Sequence, residues 1–254
     1  MIKTIMITGA TSGIGRSCAR LLAKDRHRLL LAGRRKHRLH RLQVELKDAG
    51  ASDVHYLCLD VRDRNAVESG FNGLPAEWKQ VDVLINNAGL ALGLSGIWEG
   101  GLSEWDQMVD TNVKGLLYVS RAVIPAMVKR KHGQVINIGS IAGRETYQNG
   151  NVYCATKHAV NALTKGMRID LLQHGIRVSQ ISPGAVETEF SLVRFDGDEE
   201  RANNVYRGFQ PLSGDDVAVA VKFAIDMPAH ANVDDMLLMP SAQASATQIR
   251  RTED

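Results

Sequence analysis

The chain has 254 residues, 44% hydrophobic and 23% charged, with a formal charge of +3 at neutral pH. These proportions match globular domains and exclude an intrinsically disordered chain, and so small a charge gives no general case for nucleic acid or an anionic membrane. Cys18, Cys58 and Cys154 are widely spaced and form no CxxC pair, which argues against a disulfide framework or a zinc site and for a reducing compartment. The apolar N-terminal run is short, is broken by Lys3 and meets a glycine loop at once, so it lacks the apolar region and cleavage site of a signal peptide. No stretch reaches the roughly 18 apolar residues of a membrane span. The expectation is a cytoplasmic protein without metal, membrane or nucleic-acid partners.

Thr4–Thr8 predicts a first strand, which runs into Thr8-Gly9-Ala10-Thr11-Ser12-Gly13-Ile14-Gly15 and then the helical spacing of Ile14–Lys24. Glycines in such a loop let the backbone turn sharply and approach a pyrophosphate, whose charge meets free N–H groups at the helix start. Gly9, Thr11, Ser12, Gly13, Ile14 and Gly15 are therefore candidate dinucleotide ligands.

The second strand, Arg28–Ala32, ends in Gly33-Arg34-Arg35 and not in the acidic residue that would hold ribose hydroxyls. A guanidinium pairs bidentately with a 2′-phosphate, so Arg34 and Arg35 point to NADP(H). They lie in a stretch, Arg26–Val44, with seven basic residues and no acidic one; the arginines after Arg35 read as the solvated start of the helix Arg38–Ala49. Beyond the third strand, Val54–Leu59, the pair Asp60-Val61 reads as a hold on the adenine edge, with an N-cap at Asp60 or Asp63 an equal reading. Asn86-Asn87-Ala88-Gly89 closes the fourth strand, Val83–Ile85, and Asn87, Ala88 and Gly89 are further cofactor candidates.

A long helical segment, Trp105–Arg130, carries Asn112, a poor helix former placed to hold a water near Lys157. Ser140 follows the fifth strand, Gln134–Ile138. The next helix, Val152–Leu172, sets Tyr153 and Lys157 one turn apart on one face. A free phenol titrates near about 10, and a neighbouring ammonium favours its phenolate, so this spacing suits a proton-transfer pair with Ser140 bonding the substrate oxygen. The sixth and seventh strands are Arg177–Ile181 and Met236–Met239, separated by a polar, irregular stretch, 190–213, read as a substrate-covering insertion or a plain loop. Alternation of this kind predicts one α/β domain over 1–254: a Rossmann-type, doubly wound, mostly parallel seven-stranded sheet with helices on both faces.

Thr8–Gly15, Asn86–Gly89, Asn112, Ser140 and Tyr153–Lys157 stand in the order of T-G-x-x-x-G-x-G, N-N-A-G and the Asn, Ser and Y-x-x-x-K of the short-chain dehydrogenase/reductase family, which the chain resembles over essentially its full length. The resemblance implies hydride transfer between nicotinamide and substrate carbon. Tyr153 would exchange the proton, Lys157 would hold the ribose, Ser140 would polarise the substrate oxygen and Asn112 would position a relay water. It adds Pro183, Gly184, Val186 and Thr188 around the nicotinamide half, and a homodimer or homotetramer built on the two long helices. A nucleotide-sensing regulator that kept the fold without the chemistry would lack Tyr153 or Lys157, and both are present.

Asn87–Gly93, Asp110–Asn112, Val193–Phe195 and Leu74–Trp78 resemble one branch of that family, the NADP-dependent serine or 3-hydroxy acid dehydrogenases and the sulfoacetaldehyde reductases. Both groups handle short chains bearing an anion, which implies a pocket arginine: Arg194 first, Arg144 second, with Tyr147 and Gln148 alongside. A sulfonate offers three oxygens to a carboxylate's two, so extra donors at Arg144 or Tyr147 favour it. Reduction of sulfoacetaldehyde is the first expectation and oxidation of a 3-hydroxy acid the second.

Overall fold

The inner strands are apolar at both odd and even positions, as a sheet covered on two faces requires. The computed structural model describes residues 2–252. Its strands are β1 (Thr4–Thr8), β2 (Arg28–Gly33), β3 (Asp53–Cys58), β4 (Val83–Asn86), β5 (Gly133–Ile138), β6 (Ile176–Pro183), β7 (Val186–Glu187), β8 (Leu212–Ser213) and β9 (Asp235–Leu238). Seven form one sheet in the order β3-β2-β1-β4-β5-β6-β9, every neighbour parallel; β7 and β8 make a separate parallel pair. The expected doubly wound sheet is present and entirely parallel.

The helices are α1 (Gly13–Ala23), α2 (Lys36–Asp48), α3 (Arg64–Asn72), α4 (Leu102–Val109), α5 (Leu116–Arg130), α6 (Asn151–Leu171), α7 (Glu189–Arg194), α8 (Glu199–Asn204) and α9 (Gly214–Asp226). Side chains alternate across a strand, so Ile5, Ile7, Leu29 and Leu31 pack under Leu22 of α1, Leu39 and Leu46 of α2 and Val217 and Val221 of α9. Met6, Leu30, Leu84 and Val135 face the other way, against Phe71 of α3, Val119, Val123 and Met127 of α5 and Leu171 of α6. Strand order reverses between β1 and β4, which opens a crevice at their carboxyl ends.

Where the sequence predicts one helix from Trp105 to Arg130, a π turn, Asp110–Gly115, joins α4 to α5. Two local contacts accompany its extra residue. The Asn112 side chain reaches across to the backbone of Leu90, and Gly115 passes so close to Val61 that a Cβ there would lie 2.8 Å from a Val61 methyl. The irregular stretch after β7 folds into α7 and α8, and the segment beyond Pro240 turns back on its own chain, with Arg250 N–H on Ala242 (2.8 Å) and Thr252 N–H on Gly208 (2.7 Å). No helix among the described residues is long and apolar enough to cross a membrane.

A buried polar column ties the layers beneath the crevice. Asn86 Nδ2 donates to Ser120 Oγ (3.0 Å) and Asn137 Oδ1 (2.9 Å), and Asn137 Nδ2 donates to Thr164 Oγ1 (2.9 Å). Asn137→Ala removes one acceptor and one donor from this column and is expected to lower stability by about 1–3 kcal/mol, read as a lower urea midpoint at unchanged slope.

Candidate active site

A cleft of about 600 Å³ runs along the carboxyl edge from the loop after β1 to α7. At its first end Gly9 (φ +65°) and Gly13 (φ +48°) take left-handed backbone, and a Cβ on Gly15 would stand 2.5 Å from the Gly9 carbonyl. Ser12 precedes α1, but its hydroxyl does not cap the helix, and the first turn holds no acidic residue. The positive end of α1 therefore faces the cleft without an internal anion, the setting a pyrophosphate requires. Thr11, Gly13 and Ile14 line the same wall, so the residues fit a dinucleotide.

Asn87, Ala88 and Gly89 also line the cleft, but the Asn87 side chain is occupied by the loop itself. Its Nδ2 donates to the carbonyls of Thr8 (2.9 Å) and Gly9 (3.3 Å), while Thr8 Oγ1 accepts from the N–H groups of Asn87 and Ala88, both at 3.0 Å. Asp60 lines the cleft as well; Arg62 grips both of its carboxylate oxygens at 2.7–3.1 Å, and of the two candidate caps Asp63 is the residue that caps α3, accepting from Ala66 N–H at 3.0 Å. Burial pushes the Asp60 carboxyl up, but the Arg62 bonds outweigh it and hold the group below its ordinary value. Val61 is buried, lines the cleft and packs on Gly115.

Arg34 and Arg35 both reach the cleft. Arg34 is open to solvent, 4.0 Å from Asp60. Arg35 is fixed: it donates to Thr11 Oγ1 (2.9 and 3.2 Å), to Ser12 Oγ (2.9 Å) and to Glu189 (3.1 Å). Arg38, read from the sequence as solvated, instead donates to both oxygens of Glu189 at 2.9 Å. Nothing in the sequence marks Glu189, which lies 154 residues from Arg35.

At the reacting end Ser140 also has a local structural role. Its oxygen accepts from Ala142 N–H at 3.1 Å, capping a short 3₁₀ turn, and its hydroxyl lines the cleft with Tyr153, whose phenol it pulls down. Tyr153 is buried, its ring edge-on to Phe190 with centroids 5.7 Å apart. Burial and the neighbouring Tyr147 push its phenol above the ordinary value, while Ser140 and Arg194 pull it down.

Lys157 is buried as well, and burial pushes its ammonium down to about 8. Among the described residues Lys157 makes no direct hydrogen bond to Tyr153, with which it lines the cleft. Lys157 Nζ donates to the Ile138 carbonyl at the end of β5 (3.0 Å), and the cation over the Tyr153 ring is Arg194, 5.7 Å from the centroid. Asn112 likewise has both amide hydrogens engaged, on Leu90 O (2.8 Å) and Thr156 Oγ1 (3.0 Å), and its oxygen takes Leu90 N–H (2.8 Å). Its side chain clasps the segment after β4 to α6 and leaves no amide hydrogen for a water.

Of the two arginines expected at the substrate anion, one lines the cleft. Arg194, at the end of α7, donates to Gly93 O and to the Tyr147 hydroxyl, each at 3.1 Å, and has no carboxylate within ion-pair distance among the described residues. Arg144 is committed to Asp235 on β9 at 2.7 Å and does not line the cleft; that partner lies 91 residues away in the sequence, out of reach of any local pattern. Tyr147 and Gln148 line the cleft, as do Pro183, Gly184, Val186 and Thr188, with Thr188 also capping α7 through Phe190 N–H (3.2 Å). Gln243, which the sequence does not flag, accepts Ala185 N–H at 2.8 Å and sits where a Cβ on Gly184 would fall.

This sheet order, glycine loop and Ser140-Tyr153-Lys157 group define a nucleotide-dependent oxidoreductase, and the chain belongs to the short-chain dehydrogenase family, whose profile, described as short chain dehydrogenase, matches residues 3–198. It is 44% identical over 243 residues to the NADP-dependent 3-hydroxy acid dehydrogenase YdfG of Escherichia coli (strain K12), covering 95% of this chain and 96% of that one. It is 40% identical over 246 residues to the serine 3-dehydrogenase of Agrobacterium fabrum, covering 97% of each. Among solved structures, the closed form of a serine dehydrogenase complexed with NADP+ superposes with a TM-score of 0.91 at 42% identity, covering 98% of this chain and all of that one.

The depressed Lys157 value has a consequence for stability. Below about 8 the folded protein carries a buried ammonium that the unfolded chain would solvate; above it, the unfolded chain binds more protons, so stability from this group rises with pH up to the ordinary lysine range. Lys157→Met is therefore expected to melt higher than wild type at pH 7, with the gap narrowing toward about pH 10. An equal or lower melting temperature at pH 7 would mean that the bond to Ile138 outweighs the cost of burial.

Proposed function

We propose that this protein is an NADP(H)-dependent 3-hydroxy acid dehydrogenase that interconverts a short 3-hydroxy acid, such as serine or 3-hydroxypropionate, with its semialdehyde. The observation that carries the reading is Arg194: a guanidinium without a carboxylate partner among the described residues, held beside the Tyr153 phenol in the cleft that the glycine loop opens. A cation so close to the proton-transfer group suits a substrate whose anion is a short distance from its reacting carbon.

Bound NADP(H) supplies the hydride donor or acceptor. The rest follows from the chain's own groups. Thr11 and Ser12 orient Arg35, which with Arg34 recognises the 2′-phosphate; the start of α1 holds the pyrophosphate. Gly93 and Tyr147 fix two N–H groups of Arg194, leaving the others of its five for the substrate carboxylate. Ser140 Oγ then bonds the substrate oxygen and Tyr153 Oη takes or returns its proton. Ser140 and Arg194 lower the phenol toward that task against burial, and Lys157, near the nicotinamide end, holds the ribose. Asn112 acts as a positioning residue through Leu90 and Thr156. Phe190 and the 190–213 segment cover the reacting end, and exposed Leu117 and Ile169 on α5 and α6 support association of two or more copies along those helices.

Two observations favour a carboxylate over the sulfonate that the sequence places first. Arg144, the additional guanidinium that three sulfonate oxygens would use, is held by Asp235 and does not line the cleft. The relatives at 40–44% identity are named for 3-hydroxy acids and serine.

The test is NADP+ reduction with L-serine, 3-hydroxypropionate and isethionate. The two acids are expected to turn over and isethionate to lag; a preference for isethionate would overturn the reading. Arg194→Ala should cut kcat/KM for the acids by roughly 10- to 100-fold, the loss of a charge-assisted contact, chiefly through KM and with little effect on a neutral alcohol. Tyr153→Phe should abolish turnover while NADPH still binds; turnover near wild type would remove Tyr153 from the proton transfer.

A further inference from the structure

Glu189 opens α7, directly after Thr188, and its carboxylate spans the cleft to Arg35 (3.1 Å) and Arg38 (2.9 Å to each oxygen). Burial pushes this carboxyl up, but the hydrogen bonds from Arg38 and Arg35 hold it below its ordinary value, so it is ionised at neutral pH. Arg35 is one of the two guanidiniums assigned above to the cofactor's 2′-phosphate. We propose that Glu189 is an internal competitor for that phosphate, a carboxylate that occupies Arg35 until NADP(H) arrives and recaptures it when NADP(H) leaves.

Three features support an exchange over a fixed bridge. Arg35 is oriented independently of Glu189 by Thr11 and Ser12, so its guanidinium keeps its place when the carboxylate lets go. Arg38 holds both carboxylate oxygens, so Glu189 keeps a charged partner while Arg35 is taken. The start of α7 lies against the glycine loop, where a Cβ on Gly13 would stand 3.2 Å from Thr188; the carboxylate is thus at high effective concentration beside Arg35. A 2′-phosphate carries about −1.5 to −2 charges and can displace a single carboxylate. A neutral ribose hydroxyl cannot.

The inference rests on the NADP(H) reading, and adenosine 2′,5′-bisphosphate against adenosine 5′-monophosphate isolates it, since the two differ only in the 2′-phosphate. By calorimetry, Glu189→Gln is expected to bind the bisphosphate about two- to fivefold more tightly, the range of one partly exposed ion pair, and the monophosphate about as wild type does. Stopped-flow release of NADPH should slow by a similar factor. Unchanged bisphosphate affinity, or an equal loss for both nucleotides, would overturn the competitor role and leave Glu189 a structural bridge. Wild type binding the two nucleotides equally would instead overturn the 2′-phosphate site itself.

Discussion

At the carboxyl ends of β1 and β4 the Thr8 hydroxyl accepts the N–H groups of Asn87 and Ala88, while the Asn87 amide donates back to the carbonyls of Thr8 and Gly9. This reciprocal clasp lies where strand order reverses, so it spans the one place in the sheet where neighbouring loops diverge. With it closed, Gly9 and Gly15 have no room for a side chain, and the start of α1 is held facing the cleft. Asn86, one residue earlier, carries the constraint into β5 through Asn137, and the end of β5 in turn holds Lys157. Cofactor end and reacting end are thus referred to one common frame.

Within that frame, burial acts on Tyr153 and Lys157 in opposite directions with the same meaning. The phenol is pushed up and the ammonium down, each toward its neutral form. Polar neighbours supply the counterweight. Ser140 and Arg194 act on Tyr153, and Arg194 comes from α7, in the segment that the sequence leaves irregular. The electrostatics of the reacting group therefore depend on an element that also faces the substrate.

The strands, the glycine loop and the Tyr153–Lys157 turn were legible because their signals are local: an apolar run, a glycine spacing, a four-residue interval on one helix face. What escaped depends on partners far along the chain. Arg144 could be excluded as an anion ligand only once β9 brought Asp235 to it, and Arg38 ceased to be a solvated residue only once α7 brought Glu189. Lys157 lines the cleft and Asn112 is buried beside Leu90, but which acceptor each side chain takes is decided by Ile138 and Leu90, on other elements. Gln243 entered the cleft by the return of a segment that carries no motif.

The π turn between α4 and α5 also sets a rotational phase. Each α-helical residue advances the face by about 100°, so the additional residue in Asp110–Gly115 decides which side of α5 meets the sheet. In the observed phase Val119, Val123 and Met127 are buried, while Asn112 reaches Leu90 from the turn itself. A chain one residue shorter there would turn α5 by roughly a quarter of a circle, bringing polar positions such as Arg121 toward the core. The same short segment that clasps the active-site wall therefore keeps a fifteen-residue helix in register with the sheet, which makes it a poor place for length variation even though no reacting group lies in it.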